Sequence, residues 1–237
     1  MKIIRENFQM NNKSKVLAII PARGGSKRII KKNLAKVGQL SLVEMSMKEA
    51  IESQIFSKII LSSDDSEILE QARSYPEVEA LQRSGDLASD TASSVDVVCS
   101  ILEQFRGQFD YICLLQPTSP FRTFQHIKEA FFQLKEGGCS TLVSVKPVLT
   151  NPFHVVVKKG AAVEPLIDPK IFNFRTQQTP EIFSLNGCIY FAKSDYFEEN
   201  KSFLGNNTGV YLMSEPDSLD IDTQEDLEMA RKIFYNR

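Results

Sequence analysis

Short apolar runs alternate with longer amphipathic stretches over the first 145 residues, beginning with Val16-Leu17-Ala18-Ile19-Ile20. Unbroken apolar runs are what strands buried on both faces of a sheet look like. Helical periodicity between them marks the helices that cover those faces. The pattern predicts strands over 16–21, 58–62, 78–81, 111–115 and 141–145, and helices over 42–54, 66–74, 93–105 and 124–135. Strand and helix in regular alternation give an α/β fold with a mostly parallel, Rossmann-like sheet.

The rhythm breaks after Lys146-Pro147, where Pro152, Pro165, Pro169 and Pro180 punctuate the chain. The strand signals there are 153–157 and a short run near Val163, which reads as an arm or ribbon leaving the main sheet, or as a surface loop. Strands resume over 188–192 and 210–213, and a helix over 222–234 closes the chain. The organisation expected is a polar lead-in over 1–15, an α/β domain from 16–146 and 184–237, and an inserted arm over 147–183. The lead-in has no apolar centre of the kind a signal peptide needs.

With 237 residues and 42% hydrophobic content, one sizeable core is within reach. The formal charge of −2 gives no overall field favouring nucleic acid or an anionic membrane. No segment approaches the roughly 20 apolar residues of a membrane span, so the expectation is a cytoplasmic protein. Cys99, Cys113, Cys139 and Cys188 are widely spaced, three of them inside apolar runs, which suits reduced core thiols better than a disulfide frame or a zinc site.

Candidate chemistry begins where the first strand ends. Ala22, Arg23, Gly24, Gly25, Ser26, Lys27 and Arg28 are followed by Lys31, Lys32 and Asn33. Glycines let backbone N–H groups approach an anion while the basic side chains supply charge, and strand carboxyl ends are where open α/β sheets bind ligands. The spacing matches neither a P-loop nor a dinucleotide fingerprint. The plain alternative is a glycine turn followed by solvated lysines.

Near the other end, Asp220-Ile221-Asp222 places two carboxylates at i and i+2 of an extended segment, on one side of it. A bound Mg²⁺ would relieve their repulsion and bridge to phosphate oxygens. A competing role is helix capping, since Asp222-Thr223-Gln224-Glu225 has the form of a capping box.

Three further stretches carry hydrogen-bonding groups beside glycine or proline: 83–94, from Arg83 to Ser94; 114–122, with Gln116 and Arg122; and 185–190, with Asn186-Gly187. Alone, each also reads as an ordinary loop, and Ser93 is a good helix N-cap. Together with the Arg-Gly-Gly-Ser-Lys loop and the Asp-Ile-Asp pair, and in the same order from about residue 16 to 234, they resemble the CMP-sialic acid synthetases, or N-acylneuraminate cytidylyltransferases.

That resemblance implies CTP and an acidic nine-carbon sugar as substrates, Mg²⁺ as cofactor, and a homodimer joined through the arm. It implies catalytic roles for Arg23, Lys27 and Asp222. The nucleotide would be held by Ala22, Arg23, Gly24, Gly25, Ser26, Lys27, Lys32 and Asn33, with Arg83 and Ser94 on the cytidine. Gln116, Asn186 and Gly187 would line the sugar pocket, and Asp220 with Asp222 would hold the metal. The sequence departs from the pattern where many members carry arginines facing the substrate carboxylate, at Thr176 and Ser184, and at His154, where some carry an arm lysine. Other readings of the same features are an acceptor such as legionaminate, pseudaminate or an eight-carbon sugar acid, a metal-dependent glycosyltransferase, and a nucleotide-binding module without catalysis.

Overall fold

The structure is a computed structural model that describes residues 14–88, 93–148, 152, 155–167 and 181–236. Strand β1 (Val16–Pro21) is buried along its length apart from its last residue, as its unbroken apolar run requires. It lies in the middle of a seven-stranded sheet with β4 (Lys58–Ser63), β5 (Val78–Gln82), β6 (Tyr111–Leu114), β7 (Thr141–Pro147), β10 (Phe183–Lys193) and β11 (Thr208–Leu212), in the order β11-β7-β10-β6-β1-β4-β5. β10 alone runs antiparallel to its neighbours β6 and β7. The other pairings are parallel.

Helices α1 (Leu42–Ser53), α2 (Ser66–Gln71) and α4 (Phe124–Glu136) cover one face through Met47, Ile68, Ile127 and Phe131. On the other face, α3 (Ser94–Gln104) and α5 (Ser194–Asn200) do so through Val98, Ile101 and Phe197. Local chemistry starts these helices where the sequence places them. Ser41 with Glu44, Ser93 with Asp96 and Thr123 with His126 each form a reciprocal capping box.

A small hairpin of β2 (Lys36–Val37) and β3 (Leu40–Ser41) escaped the sequence reading, as did α5. The terminal helix α6 (Gln224–Tyr235) packs beside that hairpin, with Leu227 and Ala230 sharing a small core with Val37, Leu42, Phe121 and Ile221. Gly38 turns the hairpin at φ 66°, and a side chain there would collide with the Phe234 ring.

The excursion between β7 and β10 contains a two-stranded ribbon, β8 (Val156–Lys159) and β9 (Ala162–Pro165), joined through Gly160 at φ 62°. Its first strand begins three residues later than the sequence pattern suggested. Phe153, His154, Arg175 and Thr176 lie outside the described residues. Strand β10 is longer than expected because a bulge interrupts it: Leu185 pairs with Val145 and Tyr190 with Val143, so residues 186–189 have only Ser144 opposite them.

Candidate active site

The loops that follow β1, β5 and β6 meet the 220–222 segment around a cavity of about 400 Å³ at the carboxyl ends of the parallel strands. Its walls include Arg23, Lys32, Asn33, Arg83, Ser94, Gln116, Asp220 and Asp222. Sequence distance between these residues reaches almost the whole chain; the sheet topology brings them together.

The basic loop is tied at both ends. Ala22 is fully buried, and its N–H donates to the Ser62 carbonyl at 2.9 Å, prolonging the β1 to β4 pairing. The Asn33 amide donates to the Arg23 carbonyl at 2.8 Å and closes the loop. Between them, the Gly24 N–H donates to Asp64 Oδ1 at 3.1 Å. A Cβ on Gly24 would stand 2.6 Å from Asp65 Oδ2, and Asp65 is fixed as the N-cap of α2, so this glycine is required by close approach. At Gly25 a Cβ would meet open space. Gly25 and Lys27 are exposed and Ser26 partly so, none of them in the cavity wall.

Arg83 follows β5 with its side chain only 7% exposed. One Nη bonds Asp64 Oδ1 at 3.2 Å, and the buried Nε has no partner among the described residues. Asp64 therefore links the glycine loop to Arg83 across neighbouring strands. Ser94 opens α3 behind the Ser93 cap, and both serines face the cavity.

On the facing wall, Asp220 and Asp222 flank the fully buried Ile221, so the i, i+2 pair does share one side. The Ile221 N–H donates to the Thr118 carbonyl at 2.9 Å, which fastens the segment to the loop after β6. Burial holds the Asp220 carboxyl above the usual carboxylate range. A hydrogen bond with the Thr118 side chain pulls it down, and the Asp222 charge pushes it up. Lys32, mostly buried, donates to the Ile221 carbonyl at 2.9 Å and to Asp222 Oδ1 at 3.1 Å, while Arg28 lies 3.4 Å from Asp222 Oδ2. The capping role falls elsewhere. Thr223 is the N-cap of α6 and Asp226 completes the box, one residue beyond the pair Asp222 and Glu225 that the sequence suggested. Asp222 is thus left to the cavity.

Gln116 lines the remaining side, and the β10 bulge packs behind it, so Asn186 and Gly187 stand outside the cavity wall. Gly187, at φ 77°, approaches so closely that a Cβ would sit 3.2 Å from Gln116 Oε1. The Asn186 side chain turns inward. Its Oδ1 accepts from the Ser144 hydroxyl at 2.6 Å and from the Cys188 N–H at 3.2 Å, and its Nδ2 donates to Ser218 Oγ at 2.8 Å. Asn186 therefore shapes the bulge, while Gly187 is the part that meets Gln116. Burial pushes the Cys188 thiol up to about 11, so it is uncharged at neutral pH and unsuited to nucleophilic attack.

A family model described as cytidylyltransferase matches residues 17–237. The chain belongs to the cytidylyltransferase family. This cytidylyltransferase is 35% identical over 228 residues to a CMP-N,N'-diacetyllegionaminic acid synthase of Legionella pneumophila, covering 93% of this chain and 96% of that protein. It is 31% identical over 226 residues to an N-acylneuraminate cytidylyltransferase of Streptococcus agalactiae, covering 94% of this chain and 54% of that longer protein. In fold it is similar to a CMP:2-keto-3-deoxy-manno-octonic acid synthetase solved with CTP, with a TM-score of 0.71 at 16% identity over 94% of this chain and 99% of that one.

Family membership decides for nucleotidyl transfer and against the glycosyltransferase reading of the same Asp-x-Asp pair. Sequence reasoning missed Asp64 and left Arg122 as one letter of a motif. Both carried a signal: Asp64 follows β4 at the strand end where the other site loops lie, and a lone arginine in an otherwise apolar and proline-rich stretch asks for a buried partner. No helix among the described residues is long and apolar enough to cross a membrane.

Proposed function

We propose that this cytidylyltransferase joins CMP to a nonulosonic acid, a nine-carbon acidic sugar of the sialic, legionaminic or pseudaminic type, for surface glycan synthesis. The observation that carries this reading is the two-walled cavity. A basic, glycine-containing loop and Arg83 form one side and a carboxylate pair the other, and Gln116, with Gly187 packed behind it, lines the recess of that cavity we assign to the acceptor. The names of the relatives support the same acceptor class.

In the reaction the anomeric hydroxyl oxygen of the sugar bonds to the α-phosphorus of CTP, the bond to the β-phosphate oxygen breaks, and the hydroxyl proton is lost. Such transfers need positioning and charge neutralisation more than covalent help. Arg23 and Lys27 neutralise the departing pyrophosphate, Lys32 and Asn33 hold the phosphate and ribose, and Arg83 with Ser94 orients the cytidine.

Mg²⁺ suits the donor set. Among the described residues no group of three or more His, Cys, Asp or Glu side chains encloses a metal site. Mg²⁺ needs only one or two carboxylates when waters and substrate phosphates complete its shell. Burial is the main cause of the raised Asp220 pKa, and the smaller push from the Asp222 charge is what a divalent cation would relieve. Held by Asp220 and Asp222, the ion would neutralise phosphate charge and acidify the attacking hydroxyl.

On the acceptor side, Lys146 lies directly across from Ser184 in the β7 to β10 register. We assign it to the sugar carboxylate, since it shares a face with position 184, where the resemblance leads one to expect an arginine. A homodimer is part of the proposal. The β8–β9 ribbon exposes Val156, Val157 and Val163, and Leu185, Val210 and Leu212 are exposed on the main sheet. A lone two-stranded ribbon is marginal in water without such cover. The four cysteines are free thiols, which fits the cytoplasm, where CTP is made.

The deciding experiment measures pyrophosphate release from CTP and Mg²⁺ with a panel of nonulosonic and eight-carbon sugar acids. Turnover with a nine-carbon acid supports the reading. If no acid reacts while another nucleotide and a neutral sugar do, the reading falls. A monomeric mass in sedimentation at micromolar concentration would remove the dimer.

A further inference from the structure

Among the described residues Arg122 is the largest fully buried side chain, with 1% of its surface exposed. Burying a guanidinium is costly, because it stays charged at any pH a protein meets. Among the described residues it has no carboxylate within ion-pair reach. Its contacts are instead neutral oxygens drawn from three elements. Nη1 donates to the Gln116 carbonyl at 2.9 Å and to the Cys188 carbonyl at 3.0 Å, and Nη2 donates to the Ser46 hydroxyl of α1 at 2.7 Å. Nε has no partner among the described residues. An apolar side chain would fill the same volume without that desolvation, so packing alone does not account for an arginine here.

The two carbonyls joined by Nη1 belong to Gln116, which lines the cavity, and to Cys188, next to the Gly187 whose Cα hydrogen faces Gln116 Oε1. The bulge has few other ties to the loop after β6, since the β10 to β6 pairing begins only at Tyr190. A single nitrogen holding both carbonyls fixes the distance of the Gln116 loop from the bulge behind it. A lysine ammonium lacks the rigid planar fork that reaches both and the serine together.

We infer that Arg122 is a positioning residue that sets where Gln116 stands on the acceptor side of the cavity by tying the Gln116 loop to the 186–189 bulge. It touches neither substrate. This rests on the proposed reading, in which the acceptor lies against Gln116.

The test compares Arg122→Lys and Arg122→Met with the wild-type protein in steady-state kinetics, varying CTP and the acceptor acid separately. Expected is a rise of about tenfold or more in KM for the acid in both variants, with KM for CTP within about twofold of wild type. Gly187→Ala, whose methyl would press on the Gln116 side chain while Arg122 stays intact, should reproduce that acceptor-selective pattern. Unchanged constants in both arginine variants, or equal losses for both substrates, overturn the inference.

Hydrogen exchange on the unliganded protein gives a readout independent of turnover. The amides of Cys188 and Ile189 should exchange faster in Arg122→Lys while those of β1 and β4 keep their protection. If wild type releases no pyrophosphate with any acid, the acceptor class is wrong. Arg122 is then judged by exchange alone, and unaltered protection of the bulge overturns its tethering role.

Discussion

The two ends of the cavity are built from different parts of the sheet. The end with Arg23, Asn33 and Arg83 stands on loops after parallel strands β1 and β5, with β4 between them contributing Asp64. Each loop leaves its strand in the same direction, so residues close in sequence to a strand end arrive together. The end with Gln116 and Gly187 depends on β10, which runs against its neighbours and needs a bulge to turn Gly187 toward the loop after β6. The first end follows from local chain chemistry. The second depends on one irregular strand and the buried groups, Asn186 and Arg122, that hold it in shape.

Substitutions should therefore separate into those that damage one end and those that damage both, with the largest loss at the wall they share. Asp222→Asn is expected to lower turnover by about a hundredfold or more, because a neutral amide neither balances nor binds a cation beside the phosphates. Thermal stability should change little, since Thr223 and Asp226 cap α6 without it. Pyrophosphate release with both substrates saturating measures the first effect and a melting curve the second. Near-normal turnover would remove Asp222 from the chemistry.

Gly24→Ala comes next and belongs to the nucleotide end alone. Its new methyl must displace Asp65 from the α2 cap, a cost of about 1–3 kcal/mol, and should move Gly24 away from Asp64. Weaker CTP binding with an unchanged KM for the acid is the expected result. A variant that melts like wild type and binds CTP normally would show that the loop adapts.

Asp64→Ala tests the same end more gently. It releases both the Gly24 N–H and the Arg83 guanidinium, so KM for CTP should rise by about tenfold, the usual worth of one charge-assisted bond. Asp64→Asn, which keeps an acceptor oxygen, should recover much of the loss. Equal effects on CTP and acceptor would mean that the ends are coupled.

The same contrast explains what was legible in the sequence. The basic loop, the strands that carry it and most helices follow from residue types a few positions apart. The capping of α6 was misplaced by one residue, because Asp222/Glu225 and Thr223/Asp226 are both plausible boxes. Contacts with Lys32, nearly two hundred residues earlier, keep Asp222 out of that role. Helix α5 has no apolar stripe, yet its one buried apolar side chain, Phe197, suffices to anchor it. Asp64 and Arg122 acquire meaning only through partners 40 and 66 positions away. No periodicity or short motif reports such distances.

The smallest expected effect lies at the acceptor end, at Lys146. Its charge stands across from Ser184, a position where the resemblance leads one to expect an arginine. Cross-strand neighbours share a face, so a cation on either residue would reach much the same space. Lys146 is part-exposed, and charge pairing at such sites is worth at most about 1 kcal/mol, so Lys146→Gln should raise KM for the acid by about three- to fivefold and leave CTP untouched. Adding Ser184→Arg to that variant should restore the lost affinity, because it returns a positive charge to the same side of the sheet. Restoration by arginine at 184 but not by a neutral residue of similar length would assign the effect to charge. An unaltered KM for the acid in Lys146→Gln would place the carboxylate elsewhere in the recess.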